Sequence, residues 1–229
     1  YWLEGAGMGM TVLRNPSDNT AEAMIEHTQG DGAGPPEGQS RVFVLRNMTI
    51  DGRGISPADT WMVNLRADYI FVDNVEFINM GGALNFLGTP KVIGVTNCCF
   101  VDMDISTEET TIINAGALAG ANCDFIFKDN LVHGYEPAAA GGGQGGVNVA
   151  TTATDKICRC TIRGNHFRNL GNGEIGSVKI THGHNSNIDG NVFTTIMGTA
   201  IDVASSSRVR INGNRIASIH ETRLKADDT

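Results

Sequence analysis

A short unit recurs in this chain from about residue 42 onward: an apolar run, a polar turn and a second apolar run. Residues 176–193, GSVKITHGHNSNIDGNVF, contain one copy, in which residues 178–181 and 188–193 are strand-like apolar runs. Alternation of apolar and polar residues with a period of two is typical of a half-buried β-strand. Because one such unit cannot bury its apolar residues alone, its repetition predicts a β-solenoid of stacked units.

An asparagine marks each copy of the unit. Seven asparagines follow one apolar run and precede the next: Asn47, Asn74, Asn97, Asn130, Asn165, Asn191 and Asn214. The six intervals between the first and the last cover 167 residues, or roughly 28 residues each, which is enough chain for three strands and three turns. Asparagine tolerates left-handed backbone at a sharp bend, and stacked asparagine side chains can hydrogen-bond between repeats. We therefore expect these residues to occupy equivalent bends.

A second set of positions predicts one column of outward-facing polar side chains. Each repeat also carries an apolar run with one polar residue at its centre. The central residues are Asn64, Asn85, Asn114, Asn148, Lys179 and Asp202. Neighbours on a strand point to opposite faces, so the apolar flanks should point inward and the central residues outward. Stacking of the repeats would align the six side chains.

Helical periodicity is nearly absent, and only residues 218–226 predict a short helix, which would cap the C-terminal end.

Near the N-terminus, Gly5, Gly7 and Gly9 do not fit a dinucleotide-binding loop, because the third glycine comes one residue early and a β-branched run follows. They predict a tight turn between two strands instead. A glycine- and proline-rich loop is expected over residues 29–40.

The charge and the cysteines exclude several classes of protein. The net charge of −8, from 25 acidic and 17 basic residues, argues against a nucleic-acid partner held by a broad basic face. No run of 18 apolar residues exists, so we expect no membrane span. An odd number of cysteines without paired CxxC spacing argues against a zinc site or a full disulfide framework. Cys158 and Cys160 alternate with Arg159 and should point inward as small apolar side chains, with a disulfide as the alternative in a secreted protein.

With its coil pattern and the segment LEGAGMGMTV at residues 3–12, the chain resembles the right-handed parallel β-helix superfamily of pectate-lyase-like proteins. This superfamily includes polysaccharide lyases, alginate epimerases and the body domains of phage tailspikes. The resemblance implies an all-β, single-stranded right-handed parallel β-helix of about seven coils, formed by residues 1–229 as one domain. An N-terminal cap usually precedes the glycine turn in these proteins, so we expect a fragment that lacks this cap. The resemblance also implies an extracellular (secreted) or virion-surface location.

In such β-helices the substrate lies along an outward strand face, which here is the column of polar residues. Cleavage of a uronate polymer by a lyase needs a group that neutralises the carboxylate and a base for the acidic C5 proton. The expected catalytic residues are Lys179, His182, His184 and Asp202, with Lys179 or one of the histidines as the base. The expected substrate-binding residues are Asn85, Asn114, Asn148 and Thr181. The partner would be a polysaccharide, and no nucleic acid or membrane is expected.

The histidine segment also resembles alginate lyases and chondroitinase B, with two departures. Thr181 stands where that family has a basic residue before its His-Gly pair, and the preceding coil over residues 147–152 offers no lysine.

Glycoside hydrolysis is the alternative chemistry, with Asp202 and Glu174 as the two carboxylates. The alternative to an enzyme is a structural β-helix of a tailspike, surface spike or adhesin.

The spacing of the histidines and aspartates and the open ends of the solenoid lead to expectations about metal sites and subunit partners. His182 and His184 lack a third ligand nearby, so no metal site is expected there. The aspartates near turns could bind calcium weakly, although such side chains usually cap their own backbone. They are Asp51, Asp73, Asp102, Asp104 and Asp129. Because open coil ends expose unpaired strand edges, we expect a homotrimer or flanking domains to cover them.

Overall fold

The computed structural model describes residues 1–15, 23–27, 41–55, 61–103, 111–118, 122–134, 145–151, 158–170, 176–219 and 224–226. Over these residues the chain is all-β, as predicted, and contains strands and no helix. The strands are β1 (Trp2–Glu4), β2 (Val12–Arg14), β3 (Ile25–His27), β4 (Val42–Ile55), β5 (Trp61–Leu65), β6 (Tyr69–Met80), β7 (Gly82–Gly88), β8 (Val92–Thr96), β9 (Cys99–Met103), β10 (Thr111–Leu118), β11 (Cys123–Lys128), β12 (Leu131–Gly134), β13 (Gly145–Thr151), β14 (Cys158–Arg163), β15 (His166–Leu170), β16 (Val178–Thr181), β17 (Asn187–Asp189), β18 (Val192–Ile196), β19 (Ile201–Ala204), β20 (Arg210–Asn212), β21 (Arg215–Ile219) and β22 (Leu224–Ala226).

The strands form two parallel sheets in which each strand pairs with the equivalent strand of the next repeat. Sheet A has 14 strands, and sheet B has eight strands in the order β22-β19-β16-β13-β10-β7-β5-β3. From β8 onward each repeat contributes two strands to sheet A and one to sheet B. The long strands β4 and β6 each supply both sheet A segments of their repeat. This pairing is compatible with a parallel β-solenoid.

The predicted C-terminal helix is wrong. Residues 218 and 219 end β21, and Leu224–Ala226 is a strand that continues sheet B by pairing with β19. Leu224 and Ala226, which alternate with Lys225, extend sheet B. Parallel pairing with β19 outweighs the weak local preference of this segment for a helix.

The predicted turn near the N-terminus is confirmed. It joins β1 to β2, and Gly7 and Gly9 adopt positive φ angles of 144° and 73°. At Gly5 a side chain would collide with the Asn47 carbonyl and the Thr11 side chain. The glycines therefore allow close packing onto β4. The loop predicted over residues 29–40 lies outside the described residues.

The seven marker asparagines occupy two different positions of the bend in sheet A, not one. Asn47, Asn74 and Asn97 are the left-handed residues of the bend, with φ of 59°, 54° and 53°. In the later repeats Asp129, Gly164, Gly190 and Gly213 take that left-handed position. The asparagine then comes one residue later, and Asn130, Asn165 and Asn191 are buried. The prediction of seven equivalent residues is therefore wrong by one position in the last four repeats.

The inward asparagines form a ladder that satisfies backbone groups at the bend. The Asn165 side-chain Oδ1 accepts hydrogen bonds from the Asn130 backbone N–H at 2.9 Å and from the Asn130 side-chain Nδ2 at 3.1 Å. Its Nδ2 donates to the Phe127 carbonyl at 2.9 Å. Asn191 repeats the pattern with Asn165 and with the Ile162 carbonyl. Since buried backbone groups without partners are costly, these side chains replace the ladder bonds that the bend interrupts.

A column of phenylalanines fills the interior behind this bend. The stacked pairs are Phe77 with Phe100, at a centroid distance of 4.9 Å, and Phe167 with Phe193, at 5.0 Å. Between these pairs the column position is Val132, which is too small to bridge them. Phe127 of β11 fills the gap, with its ring 6.3 Å from Phe100 and 6.1 Å from Phe167. The core is therefore continuous across repeats.

The cysteines behave as predicted, as apolar core residues. Cys98, Cys123, Cys158 and Cys160 are buried, Cys99 is half-buried, and all five are free thiols. Burial raises the pKa of Cys98 to about 12. It also raises the pKa of Cys99. The Cys98 thiol is therefore protonated at neutral pH, and burial makes all four buried thiols inaccessible to reagents.

Replacing Asn165 with alanine should destabilise the protein by about 3 kcal/mol, because the Asn130 N–H and the Phe127 carbonyl lose their partner in the interior. Urea denaturation measures the difference. The control is Asn97→Gly, which keeps the left-handed conformation, removes an exposed amide with its surface hydrogen bond to Asp73 and should change stability by less than about 1 kcal/mol. Equal losses in the two variants would contradict the inward ladder.

In the native protein at pH 8 a thiol reagent should label a single cysteine slowly, and that cysteine should be Cys99. Denaturant should expose all five cysteines. Absorbance of the chromophore released by the reagent measures the labelling. The folded Cys99→Ser variant should not be labelled. Rapid labelling of a second thiol would be inconsistent with the burial of the other four.

Candidate functional site

The predicted outward column exists on sheet B. Parallel pairing places its members side by side on successive strands, in the order Glu26, Asn64, Asn85, Asn114, Asn148, Lys179, Asp202 and Lys225. The apolar neighbours point inward: Val178 and Ile180 are both fully buried. The alternation along each strand therefore predicted the correct face, and the backbone register adds one position at each end of the column.

Four asparagines of this column bind one another. The Asn85 Nδ2 donates to the Asn64 Oδ1 at 3.0 Å, the Asn114 Nδ2 to the Asn85 Oδ1 at 3.1 Å, and the Asn148 Nδ2 to the Asn114 Oδ1 at 3.1 Å. Gly116 lies against this ladder, and its N–H donates to the Asn114 Oδ1 at 3.0 Å. Asn85 and Asn114, two of the amides expected to bind substrate, therefore both donate and accept along the column, whereas Asn148 only donates in it. Each of the three keeps its second N–H for another partner.

The ladder ends where the column becomes charged. Lys179 and Asp202 are direct partners on adjacent parallel strands, which lie about 4.8 Å apart. Asp202 is only 8% exposed, and its Oδ1 is buried without a hydrogen-bond partner among the described residues. Lys179 is half-buried and forms no ion pair or hydrogen bond with any described residue. An acceptor buried without a partner is unusual in a folded protein, so this is the part of the column whose polar groups are least satisfied.

Thr181 lies on the same face as Lys179, two residues along β16. Its partners on the adjacent strands are Ala150 and Ala204. Because alanines extend little from the sheet, the surface beside Thr181 is lower than the column of longer side chains next to it.

The two histidines lie in the turn after β16 and are separated by a bend. His182 adopts a left-handed φ of 57°, and its N–H donates to the Ala204 carbonyl. Gly183 is buried, and a side chain there would collide with Ile180. The His184 Nδ1 lies 2.8 Å from the Ser207 hydroxyl and accepts the Ser207 N–H at 3.2 Å. A neutral His184 ring therefore carries its proton on Nε2. Thus His182 is next to Thr181, and His184 is held by the following turn.

The remaining predicted ligands do not form a cluster. No group of three or more His, Cys, Asp or Glu side chains that could hold a metal is present among the described residues. The Asp51 Oδ1 accepts hydrogen bonds from the Arg53 N–H and the Asn79 amide, and Asp73 accepts from Thr96 and Asn97. Asp51 therefore bonds to its own bend and to the next repeat, and Asp73 bonds to side chains of the next repeat. Glu174 and Asp104, the expected second carboxylate and one expected calcium ligand, lie outside the described residues.

The sequence did not predict a shallow pocket on sheet A. Its volume is about 390 Å³, and its lining is Asn185, Ser186, Asn187, Arg208 and Arg210. The two arginines are separated by one apolar residue, and alternation along the strand accounts for the exposure of both. Alternation along a strand does not show which residues of the preceding repeat lie beside them.

Sheet A also exposes large apolar residues on its outward face. Trp2, Val42 and Phe71 are 63%, 45% and 40% exposed. Trp2 and Phe71 occupy one register column, with the nearly buried Val44 between them. An apolar exterior surface of this kind is the feature expected of a structural β-helix that assembles.

Comparison of the chain with protein-family models, curated proteins and solved structures found no match. The described part of the chain contains no helix with the length and apolar character needed to cross a membrane. Function must therefore be inferred from the polar column and the pocket.

The variant Ile180→Asp should unfold the protein, because it places a charge among the fully buried residues behind the column. Lys179→Ala should leave the melting temperature nearly unchanged, because it removes a side chain from the outer face without an ion pair to the described residues. Thermal melting followed by circular dichroism compares the two. Identical melting curves would refute the assignment of inward and outward faces.

Proposed function

We propose that this chain is a right-handed parallel β-helix of the pectate-lyase-like type, working as one domain outside the cell or on a virion surface. Its support is the arrangement of parallel strands, with each repeat supplying two segments to sheet A and one to sheet B. Parallel strands of one sheet must be joined by crossover connections, and about 98% of such connections are right-handed. Fold alone does not specify a reaction, so the chemistry must be inferred from the site.

The proposed function is cleavage of an acidic polysaccharide by β-elimination. The observation that carries it is the end of the asparagine ladder, where Lys179 and the partly unsatisfied Asp202 replace mutually bonded amides. A uniform ladder needs no further partner. A lysine that forms no ion pair with the described residues, beside a buried carboxylate, offers unused binding capacity. A sugar acid supplies both a carboxylate for the lysine and hydroxyl donors for Asp202.

Each residue then has a role in the elimination. Lys179 neutralises the uronate carboxylate, and the second N–H of Asn148 donates to it. The His182 imidazole takes the proton from C5. The electron pair of the C5–H bond forms the C4–C5 double bond, and the C4–O4 bond breaks. The leaving oxygen receives a proton from the His182 imidazolium or from water, and Thr181 and Asp202 hold sugar hydroxyls.

The test is to mix the protein with alginate, pectate and chondroitin, with and without calcium, and to follow the ultraviolet absorbance of the unsaturated product. A rise with one polymer is expected. Lys179→Ala and His182→Ala should each lower the rate on the order of 100-fold or more. The control is Lys91→Ala, which removes a surface lysine paired with Asp68 and should leave the rate unchanged. No absorbance rise and no new reducing ends with any polymer would reject the proposal.

A structural role is the second candidate, because two observations favour it. The four asparagines of the sheet B ladder already hydrogen-bond to one another. Sheet A exposes Trp2 and Phe71 in one register column. Such a β-helix would serve as a spike or adhesin segment, assembled as a homotrimer or capped by flanking domains. Absence of catalysis together with a stable trimer in sedimentation equilibrium would favour this role.

A further inference from the structure

The pocket on sheet A is built by two successive repeats. Asn187 of β17 pairs with Arg210 of β20, and the turns that precede these strands supply Asn185 and Arg208. Val209 is partly buried and packs against the core, so the two arginines on either side of it point outward. The turn containing His182 and His184 leads from the Lys179 strand directly into the pocket. The pocket therefore belongs to the same repeats as the candidate catalytic residues.

The arginines of the pocket lack the partners that other arginines of the same face have. Arg159 forms two hydrogen bonds with the Asp124 carboxylate, at 2.6 and 2.9 Å. Arg163 lies 3.7 Å from Asp189. Arg208 and Arg210 are exposed and form no ion pair with any described residue. In a chain with a net charge of −8, two adjacent unpaired cations create a local site for an anion.

The backbone holds this cationic pair in a defined place. Asn185 and Arg208 both adopt a left-handed φ of 56°, and the Asn185 N–H donates to the Ser207 carbonyl at 3.0 Å. Left-handed backbone suits asparagine but is uncommon for arginine. A residue kept in an unfavourable conformation is a reason to ask what its side chain does. Here the conformation presents the Arg208 guanidinium beside Arg210 at the pocket.

The polar lining leaves the two cations as the groups that face a ligand. The Asn187 Oδ1 is buried, and no described group bonds to it. The Ser186 hydroxyl already accepts the Cys160 N–H at 3.0 Å, so it is bound into the fold. Two guanidinium groups match a carboxylate, with which arginine forms paired charge-assisted hydrogen bonds.

We infer that this pocket binds a sugar acid residue of the polymer, with its carboxylate on Arg208 and Arg210. This inference depends on the proposed function for the kind of polymer and adds a second binding site on sheet A. It assigns Arg208 and Arg210 a role in holding the polymer, whereas the elimination occurs on sheet B.

The test measures binding of short uronate oligomers from alginate and pectate by calorimetry, beside the same oligomers with their carboxyl groups reduced to alcohols. The variant is the double substitution Arg208→Asn and Arg210→Asn, which copies Asn185 and Asn187 of the preceding repeat and so suits the local backbone. It should weaken binding of the acidic oligomer by about tenfold or more. Arg168→Asn, which removes an exposed arginine of β15 outside the pocket, should leave binding unchanged. The wild-type protein should bind the reduced oligomers weakly.

Each contrary result has a distinct meaning. If the wild-type protein binds the acidic oligomer and the double variant binds it equally well, the pocket has no such role and the proposed function stands. The pocket likewise has no such role if Arg168→Asn weakens binding as much, or if the reduced oligomers bind as tightly. If the wild-type protein binds no acidic oligomer, both the pocket and the proposed function are rejected.

Discussion

Parallel pairing between repeats governs the rest of this structure. Each strand bonds to the equivalent strand of its neighbour, so side chains at equivalent positions stack in columns about 4.8 Å apart. A column of like residues can then satisfy itself: phenylalanines stack in the core, and asparagines bond in series at the bend and on sheet B. The inward asparagines are the most demanding case, because they bond backbone groups that the bend leaves without strand partners. Stability is thus spread along the repeats and does not depend on one central contact.

The same geometry explains why departures from a column are informative. Val132 interrupts the phenylalanines, and Phe127 restores the packing from a neighbouring strand. On sheet B the asparagine ladder gives way to Lys179 and Asp202, and no described group satisfies the Asp202 Oδ1. The first departure is compensated inside the fold and therefore needs no function. The second is uncompensated, which is why the proposed chemistry is assigned there.

The outward face of sheet A shows the same contrast between satisfied and unsatisfied groups. Arg159 and Arg163 have carboxylate partners, whereas Arg208 and Arg210 have none among the described residues. Both unsatisfied sites belong to the last repeats, around β16 to β20, and the turn with His182 and His184 connects them. A polymer held near this turn would meet cations on both sheets, although the chain as a whole is acidic.

Alternation along a strand depends only on backbone geometry, so the amino-acid sequence was sufficient to predict which residues point inward. The all-β class, the column from Asn64 to Asp202 and the buried cysteines all follow from it. The bend residues were ambiguous until the strands were paired. An asparagine can be a left-handed bend residue, as Asn47 is, or a buried ladder residue one position later, as Asn165 is, and the preceding glycine takes the bend in the second case. The strand at Leu224–Ala226 and the pocket at Arg208 and Arg210 likewise depend on pairing with another repeat. Hydrogen-bond partners across repeats follow from register, and register depends on turns whose lengths vary from one repeat to the next.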